Sequence, residues 1–290
     1  MAKVTLMPSG INAAIQSGHK RKPGARGKCL GWSAGACRRN ARFLRSVVPD
    51  SLYGNGYACT LTVRDLPSSA IVWAQVRDAF LKRVRRMGVI RFHWVTEWTS
   101  RGVPHLHLVL FFHPSDRWIE IDVRRAWMDV AGFLGTGPQG QCIKRLDDAV
   151  GWFGYVSKHS ARGAAHYQRQ AAALPDTWDT VGRVWGKGGD WVVQEVVVEI
   201  EDDVFHVLRR LVRGWLTAQA RSDVKREKLY GKKHRIEAAQ RRVFHARNML
   251  KCTKKELSGV RGLGHWVNGD AQEELLSAAW LIDAQKKGLR

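Results

Sequence analysis

The stretch "PHLHLVLFF", residues 104–112, constrains this chain more than any other feature of it. Nine residues of this composition read as a strand, and a strand points alternate side chains to opposite faces. Leu106, Leu108, Leu110 and Phe112 therefore line one face without interruption, as a core face does. His105 and His107 share the other face, about 7 Å apart at their backbones, close enough for two imidazoles to converge on one ion. An isolated His-x-His is usually a pair of ordinary strand histidines, so the neighbouring sequence has to decide.

"IRFHWVTEW" (90–98) reads as the preceding strand. An antiparallel hairpin centred on Arg101 sets Glu97 opposite His105 and Val95 opposite His107. Opposite residues point to the same face, so Glu97 joins the histidines, while Phe92 and Trp94 fall with the leucines. A register slip of two residues keeps that parity. Two imidazoles and a carboxylate make a three-ligand site with open positions, suited to a divalent cation that also touches substrate. The competing reading is a hydrogen-bonded His/Glu cluster without metal.

A second set lies on the segment "LDDAVGWFGYVSKHS", whose spacing predicts a helix over 146–160. Leu146, Ala149, Val150, Phe153 and Val156 form its expected buried stripe. Trp152, Tyr155 and Lys158 follow at intervals of three on a different face, so that Tyr155 and Lys158 are neighbours. A phenol with a pKa of about 10 is a poor nucleophile at neutral pH, and an adjacent ammonium favours its phenolate. Tyr-x-x-Lys alone is common on helices. Beside a metal site it offers what phosphodiester transesterification needs, a protein nucleophile.

Around these motifs the chain reads in the order β-α-β-β-α-β-α, an α+β class built on a central antiparallel sheet with flanking helices. The elements are a strand at 57–63, a helix over 68–87 capped by Ser68 or Ser69, the two strands above, a helix at about 118–133, a strand at 141–146 and the tyrosine helix. One more strand is expected within 191–200. The net charge of +22 is unevenly spread: +9 over residues 1–50, +2 over 51–202 and +11 over 203–290. We read three regions from this: a flexible basic arm (1–50, with a short helix at 38–47), a chemical domain (51–202), and a basic helical C-terminal region (203–290) that binds DNA or recruits a partner. Basic ends around a neutral middle point to a polyanion, most often nucleic acid. Candidate phosphate contacts are Lys20, Arg21, Lys22, Arg101, Arg162, Lys232 and Lys233. Five cysteines without a Cys-x-x-Cys pair fit neither a disulfide framework nor a zinc finger. No apolar run reaches the length of a membrane span and no signal-peptide core is seen, so a soluble cytoplasmic protein without a membrane partner is expected.

Taken together, these motifs resemble those of the rolling-circle replication initiators of the HUH endonuclease superfamily, in particular the filamentous-phage and small-plasmid type. "CTLTV" (59–63) matches the first strand motif, "HLHLVLFF" with Glu97 upstream the His-hydrophobe-His motif, and "YVSKH" (155–159) the tyrosine motif. "KHSARGAAHYQRQ" and "GRVWGKGGDW" within 158–191 add to the likeness, which covers roughly residues 51–192. The resemblance implies a ferredoxin/RRM-like topology, Mg²⁺ or Mn²⁺ held by Glu97, His105 and His107, and attack by Tyr155 that leaves a 5′-phosphotyrosine and a free 3′-OH. Lys158 would position the phosphate. It also implies single-stranded and origin duplex DNA as substrates, with a separate helicase and DNA polymerase.

"GRVWGKGG" is not a P-loop: its glycines are one residue too close, and Gly188 stands where the Mg²⁺-binding Ser/Thr belongs. Some phage initiators carry two tyrosines a helical turn apart. Here those positions are Gly151 and His159, and Tyr167 lies beyond Gly163, so a single-tyrosine enzyme is expected, with a homodimer as one route to termination. A single-tyrosine transposase, a relaxase, and a non-catalytic basic DNA-binding protein are the alternatives that these residues leave open.

Overall fold

The computed structural model describes residues 1–15, 31–146, 152, 155, 159, 162–170, 174–231, 233–250 and 262–288. In chain order the elements are β1 (Ala2–Met7), β2 (Gly10–Ile15), α1 (Ala34–Ser46), β3 (Asn55–Thr62), α2 (Ala70–Arg86), β4 (Arg91–Trp98), β5 (Pro104–Phe112), α3 (Ile119–Ala131), β6 (Cys142–Leu146) and β7 (Trp185–Gly189). They continue as β8 (Val196–Ile200), α4 (Asp202–Tyr230), α5 (Lys233–Asn248), β9 (Leu263–His265) and α6 (Gly269–Lys286). The class is α+β, with antiparallel sheets flanked by helices. Two compact units form, one from the described residues of 23–194 and one joining those of 1–22 to 195–290.

In the 23–194 unit the described strands make a five-stranded antiparallel sheet in the order β6-β3-β5-β4-β7. β5 is central and every one of its residues is buried, which is why it tolerates so apolar a sequence. Its hairpin with β4 has the register read from the sequence, Glu97 opposite His105 and Val95 opposite His107. On one face Leu106, Leu108, Leu110, Phe92 and Trp94 pack with Trp73, Val76 and Phe80 of α2 and Val123 and Trp127 of α3. The two helices are pinned by indole donors: Trp73 Nε1 donates to Thr96 Oγ1 (3.2 Å) and Trp127 Nε1 to the Thr62 carbonyl (3.0 Å). Ser69 caps α2, its hydroxyl accepting from the Val72 amide at 3.3 Å, and Gly88 ends it in the left-handed region (φ 84°).

β7 was not expected, because "WGKGG" carries turn residues. Its glycines are spacers for aromatic rings. A Cβ on Gly186 would stand 2.8 Å from Trp94 Nε1, and one on Gly188 would collide with the Phe92 ring. The rings of Trp94 and Phe92 thus occupy the space where edge-strand side chains would otherwise lie. Gly188→Val should destabilise the protein by about 1–3 kcal/mol, the usual cost of overpacking. Denaturant unfolding checks this, and an unchanged midpoint would refute the spacer role.

The other unit has a four-stranded antiparallel sheet in the order β8-β1-β2-β9. Three expectations are corrected, the second of them in the 23–194 unit. Residues 2–15, read as part of a flexible basic arm, form a hairpin whose Val4, Ile11 and Ala13 are buried. The short helix expected at 38–47 begins earlier, at Ala34, where the Ser33 hydroxyl accepts from the Ala36 amide at 3.0 Å. The strand expected in 191–200 is Val196–Ile200, but it pairs with β1 and not with the five-stranded sheet. Phe205, Leu208 and Val212 of α4 and Leu276 and Ala279 of α6 complete this second core. The Gln272 side chain ties α6 to the hairpin, accepting from the Met7 amide (3.3 Å) and donating to the Met7 carbonyl (2.8 Å). Among the described residues no helix is long and apolar enough to cross a membrane.

Candidate active site

The sheet face turned away from α2 and α3 carries the polar side chains. β4 contributes His93 and Glu97, β5 contributes His105 and His107, and β3 contributes Thr60, paired with His107. Glu97 is wholly buried, and His105 and His107 are 5% and 7% exposed. Their ligand atoms all lie within 4.8 Å of one another. The two Nε2 atoms of His105 and His107 are 3.0 Å apart, and His107 Nε2 is 3.4 Å from Glu97 Oε2. The Thr60 hydroxyl engages His107 Nδ1 at 3.0 Å, turning the other ring nitrogen into the cluster as an outer partner of a metal-ligating histidine does. Two imidazoles and a carboxylate, converged and shielded from water, are a donor set that fits a divalent ion.

Glu97 is also the centre of an ion-pair group that the sequence did not reveal. Arg169, itself fully buried, donates from Nε to Glu97 Oε1 at 2.7 Å, and Arg162 donates to Oε2. The Arg169 guanidinium further donates to the Arg162 carbonyl (2.6 Å) and lies 3.9 Å from the centre of the Trp32 ring. Burial alone would raise the Glu97 pKa; the His107 hydrogen bond and the Arg169 and Arg162 charges outweigh it and hold the carboxyl well below the usual range. The carboxylate is therefore anionic at working pH. Arg162, a candidate phosphate contact, is turned inward onto this carboxylate in the structure.

Trp152, Tyr155 and His159 are helical and buried. Of the helix expected over 146–160, Leu146 instead ends β6, and the residues other than these three lie outside the described set. The sequence placed Trp152 and Tyr155 off the buried stripe. They instead pack with Phe43, Leu44, Val109 and Phe111, because α1 covers the side that periodicity alone left open. The ring of Tyr155 stacks on that of Trp152 and sits 4.5 Å from that of His159, which is 5.2 Å from the His107 ring. Tyrosine and Glu-His-His cluster thus share one sheet face, joined by contiguous rings. The Tyr155 hydroxyl is 2.7 Å from His93 Nδ1, and His93 Nε2 is 2.7 Å from Asn40 Oδ1. Burial pushes the Tyr155 phenol well above its ordinary pKa, with the Glu97 charge adding to it. Burial likewise lowers the His93 pKa to about 3, helped by the Arg169 and Lys187 charges.

Lys158, Lys20, Arg21, Lys22 and Lys232 lie outside the described residues. Arg101 is exposed at the β4–β5 turn and Lys233 at the start of α5. Thr60, His93, His159, Asn40 and Arg169 were missed. His93 was within reach of the parity argument that found Glu97; Asn40 and Arg169 come from distant segments and left no local signal.

The model of the ORF2-type family of replication-associated proteins matches residues 56–167, a span that holds Glu97, His105, His107 and Tyr155. A putative replication protein of Xylella fastidiosa (strain 9a5c) is 44% identical over 265 residues, covering 88% of this chain and 87% of its own. A second from Xylella fastidiosa (strain Temecula1 / ATCC 700964) is 43% identical over 264 residues, covering 88% and 93%. A replication-associated protein of Pseudomonas phage Pf3 is 40% identical over 273 residues, covering 93% and 92%. No solved structure matches. With likeness of this extent along both partners, the chain belongs to the ORF2-type family of replication-associated proteins.

Proposed function

We propose that this protein initiates rolling-circle DNA replication as an HUH-type endonuclease, cutting one origin strand and later rejoining it by transesterification. The observation that carries the reading is the shared sheet face on which Tyr155 lies beside the converged Glu97, His105 and His107. Glu97, His105 and His107 would hold Mg²⁺ or Mn²⁺. When bound, the ion supplies Lewis-acid polarisation of the scissile phosphate. The Tyr155 oxygen attacks phosphorus, the bond to the 3′ oxygen breaks, and the products are a 5′-phosphotyrosine and a 3′-OH that primes synthesis. The bond energy is kept in the phosphotyrosine, so the 3′-OH of a later strand can reverse the step without a nucleotide cofactor.

Family membership supports this reading, since the relatives are named as replication proteins. In it, Lys158 steadies the phosphate, and Arg101, Lys233 and the basic residues Lys20, Arg21, Lys22 and Lys232 hold single-stranded and duplex origin DNA. A separate helicase and polymerase then extend the 3′ end, in the host cytoplasm. With one nucleophile per chain, termination uses the Tyr155 of a second copy, a water-mediated cut, or release of the first end.

The test is a nicking assay on supercoiled DNA carrying the cognate origin. Nicking should require Mn²⁺ or Mg²⁺, stop on chelation, and leave a protein–DNA adduct whose peptide map places the phosphotyrosine at residue 155. Metal-independent nicking, or nicking without an adduct, would defeat the proposal.

A further inference from the structure

The inference rests on the transesterification reading above and concerns where the phenolic proton goes. We infer that His93 is a further catalytic residue, the acceptor of the Tyr155 proton, and that Asn40 fixes the ring tautomer that makes it one.

Asn40 Oδ1 can only accept, so the 2.7 Å contact requires His93 Nε2 to carry a hydrogen. A neutral imidazole has one N–H, which leaves Nδ1 as a bare acceptor, and the Tyr155 hydroxyl 2.7 Å away must then donate to it. His93 and Asn40 are both fully buried, so water offers neither of them another partner. Asn40 Nδ2 finds no partner among the described residues, which leaves the amide one task here, to accept from His93. The His93 ring is further held by stacking on Phe43 of α1, with centroids 5.7 Å apart. Nucleophile, base and orienting group, each in hydrogen-bond reach of the next, are the arrangement that nucleophilic catalysis calls for.

Burial outweighs the charged groups around the pair, which act in both directions at Tyr155, where Glu97 raises the phenol's pKa and Arg169 lowers it. Lys187 pairs with His93 across β4 and β7, and with Arg169 it disfavours a proton on the ring, while burial keeps the ring neutral at any working pH. His159 and Glu97 approach from the Tyr155 side, and burial with the Glu97 charge disfavours a free phenolate. A preformed phenolate is thus costly, and the proton is better passed on as the new bond forms. The anionic phosphodiester that must enter offsets the positive charge that then develops on His93. In the forward step the Tyr155 O–H bond breaks to His93 Nδ1, the oxygen–phosphorus bond forms, and the 3′ oxygen leaves and takes a proton from water. In rejoining, the departing Tyr155 oxygen recovers its proton from His93.

The test uses the full-length protein, Mn²⁺ and a single-stranded oligonucleotide spanning the cognate origin, read as single-turnover adduct formation across pH. His93→Phe keeps an aromatic ring in the packing and removes the base. Near neutrality its rate should fall about 10²- to 10⁴-fold, and the loss should narrow as rising pH ionises the phenol unaided. Asn40→Ala, a milder change, should slow the reaction less and lose the single tautomer that ¹⁵N NMR of His93 reports in the parent. A His93→Phe rate equal to that of the parent, or reduced by the same factor at every pH, would overturn the base role. So would a resting His93 that carries its hydrogen on Nδ1. If the parent itself forms no adduct at Tyr155, the functional reading fails at its own step and this one falls with it.

Discussion

Tyr155→Phe should retain origin-DNA and divalent-ion binding while losing adduct formation by more than about 10⁴-fold, as expected when a sole nucleophile is removed. The substitution deletes one oxygen and keeps the ring that stacks on Trp152 and lies against His159, so packing is preserved. It does leave His93 Nδ1 buried without its donor, at a cost of about 1–3 kcal/mol. Thermal melting should therefore show a modest loss, far too small to account for the loss of chemistry. No other tyrosine is placed to substitute. Tyr57 lies in the opposite core, Tyr53 and Tyr167 are exposed without a contact to the Glu-His-His cluster among those described, and Tyr230 belongs to the other unit. Tyr167→Phe should accordingly cleave at nearly the parental rate. Denaturing gels of the trapped adduct, followed by peptide mapping, decide the matter. An adduct persisting in Tyr155→Phe, or one mapping to residue 167, would overturn the assignment.

Some of this site was legible in the sequence and some was not, and the difference is physical. The β4–β5 hairpin is regular, so a period of two carries face information across the turn, and Glu97, His105 and His107 could be placed together from spacing alone. α2 was equally readable from its Ser69 cap and Gly88 stop. Helical periodicity around Tyr155 told which residues share a face but not which faces are covered. Covering by Phe43 and Leu44 is a tertiary event, and it put Trp152 and Tyr155 inside. Arg169 and Asn40 reach Glu97 and His93 across 72 and 53 residues of chain, a separation at which no local pattern survives. β1 and β2 were obscured by the basic, glycine-rich sequence that follows them, and their partners β8 and β9 lie far along the chain, as in Ala2 opposite Ile200 and Ile11 opposite His265. β7 was missed because glycine in a strand is read as a breaker, whereas here it makes room for Trp94 and Phe92.

The ion-pair group at Glu97 sets it apart from His105 and His107, which share its cluster. His105→Ala and His107→Ala should each abolish divalent-dependent cleavage while costing less stability than Glu97→Ala, since neither carries the buried charge that pairs the arginines. Glu97→Ala removes a ligand and also strands Arg169, fully buried, with Arg162 beside it. Breaking a buried pair from one side costs about 3–5 kcal/mol, so this variant should unfold at markedly lower denaturant than either histidine variant. Glu97→Gln keeps an acceptor for Arg169 and should fall between. The pH dependence follows from the sign of the shift. The Glu97 carboxyl is held below its unfolded value of about 4.3, so its stabilisation is complete above that pH. It is then lost as the pH falls through that value and on toward the lower folded one. The stability gap between the parent and Glu97→Gln should therefore be full at neutral pH and close progressively below about pH 4. Denaturant unfolding at a series of pH values measures it. A gap that does not change with pH, or a Glu97→Ala protein as stable as His105→Ala, would mean that Glu97 is not the anion that holds the two arginines.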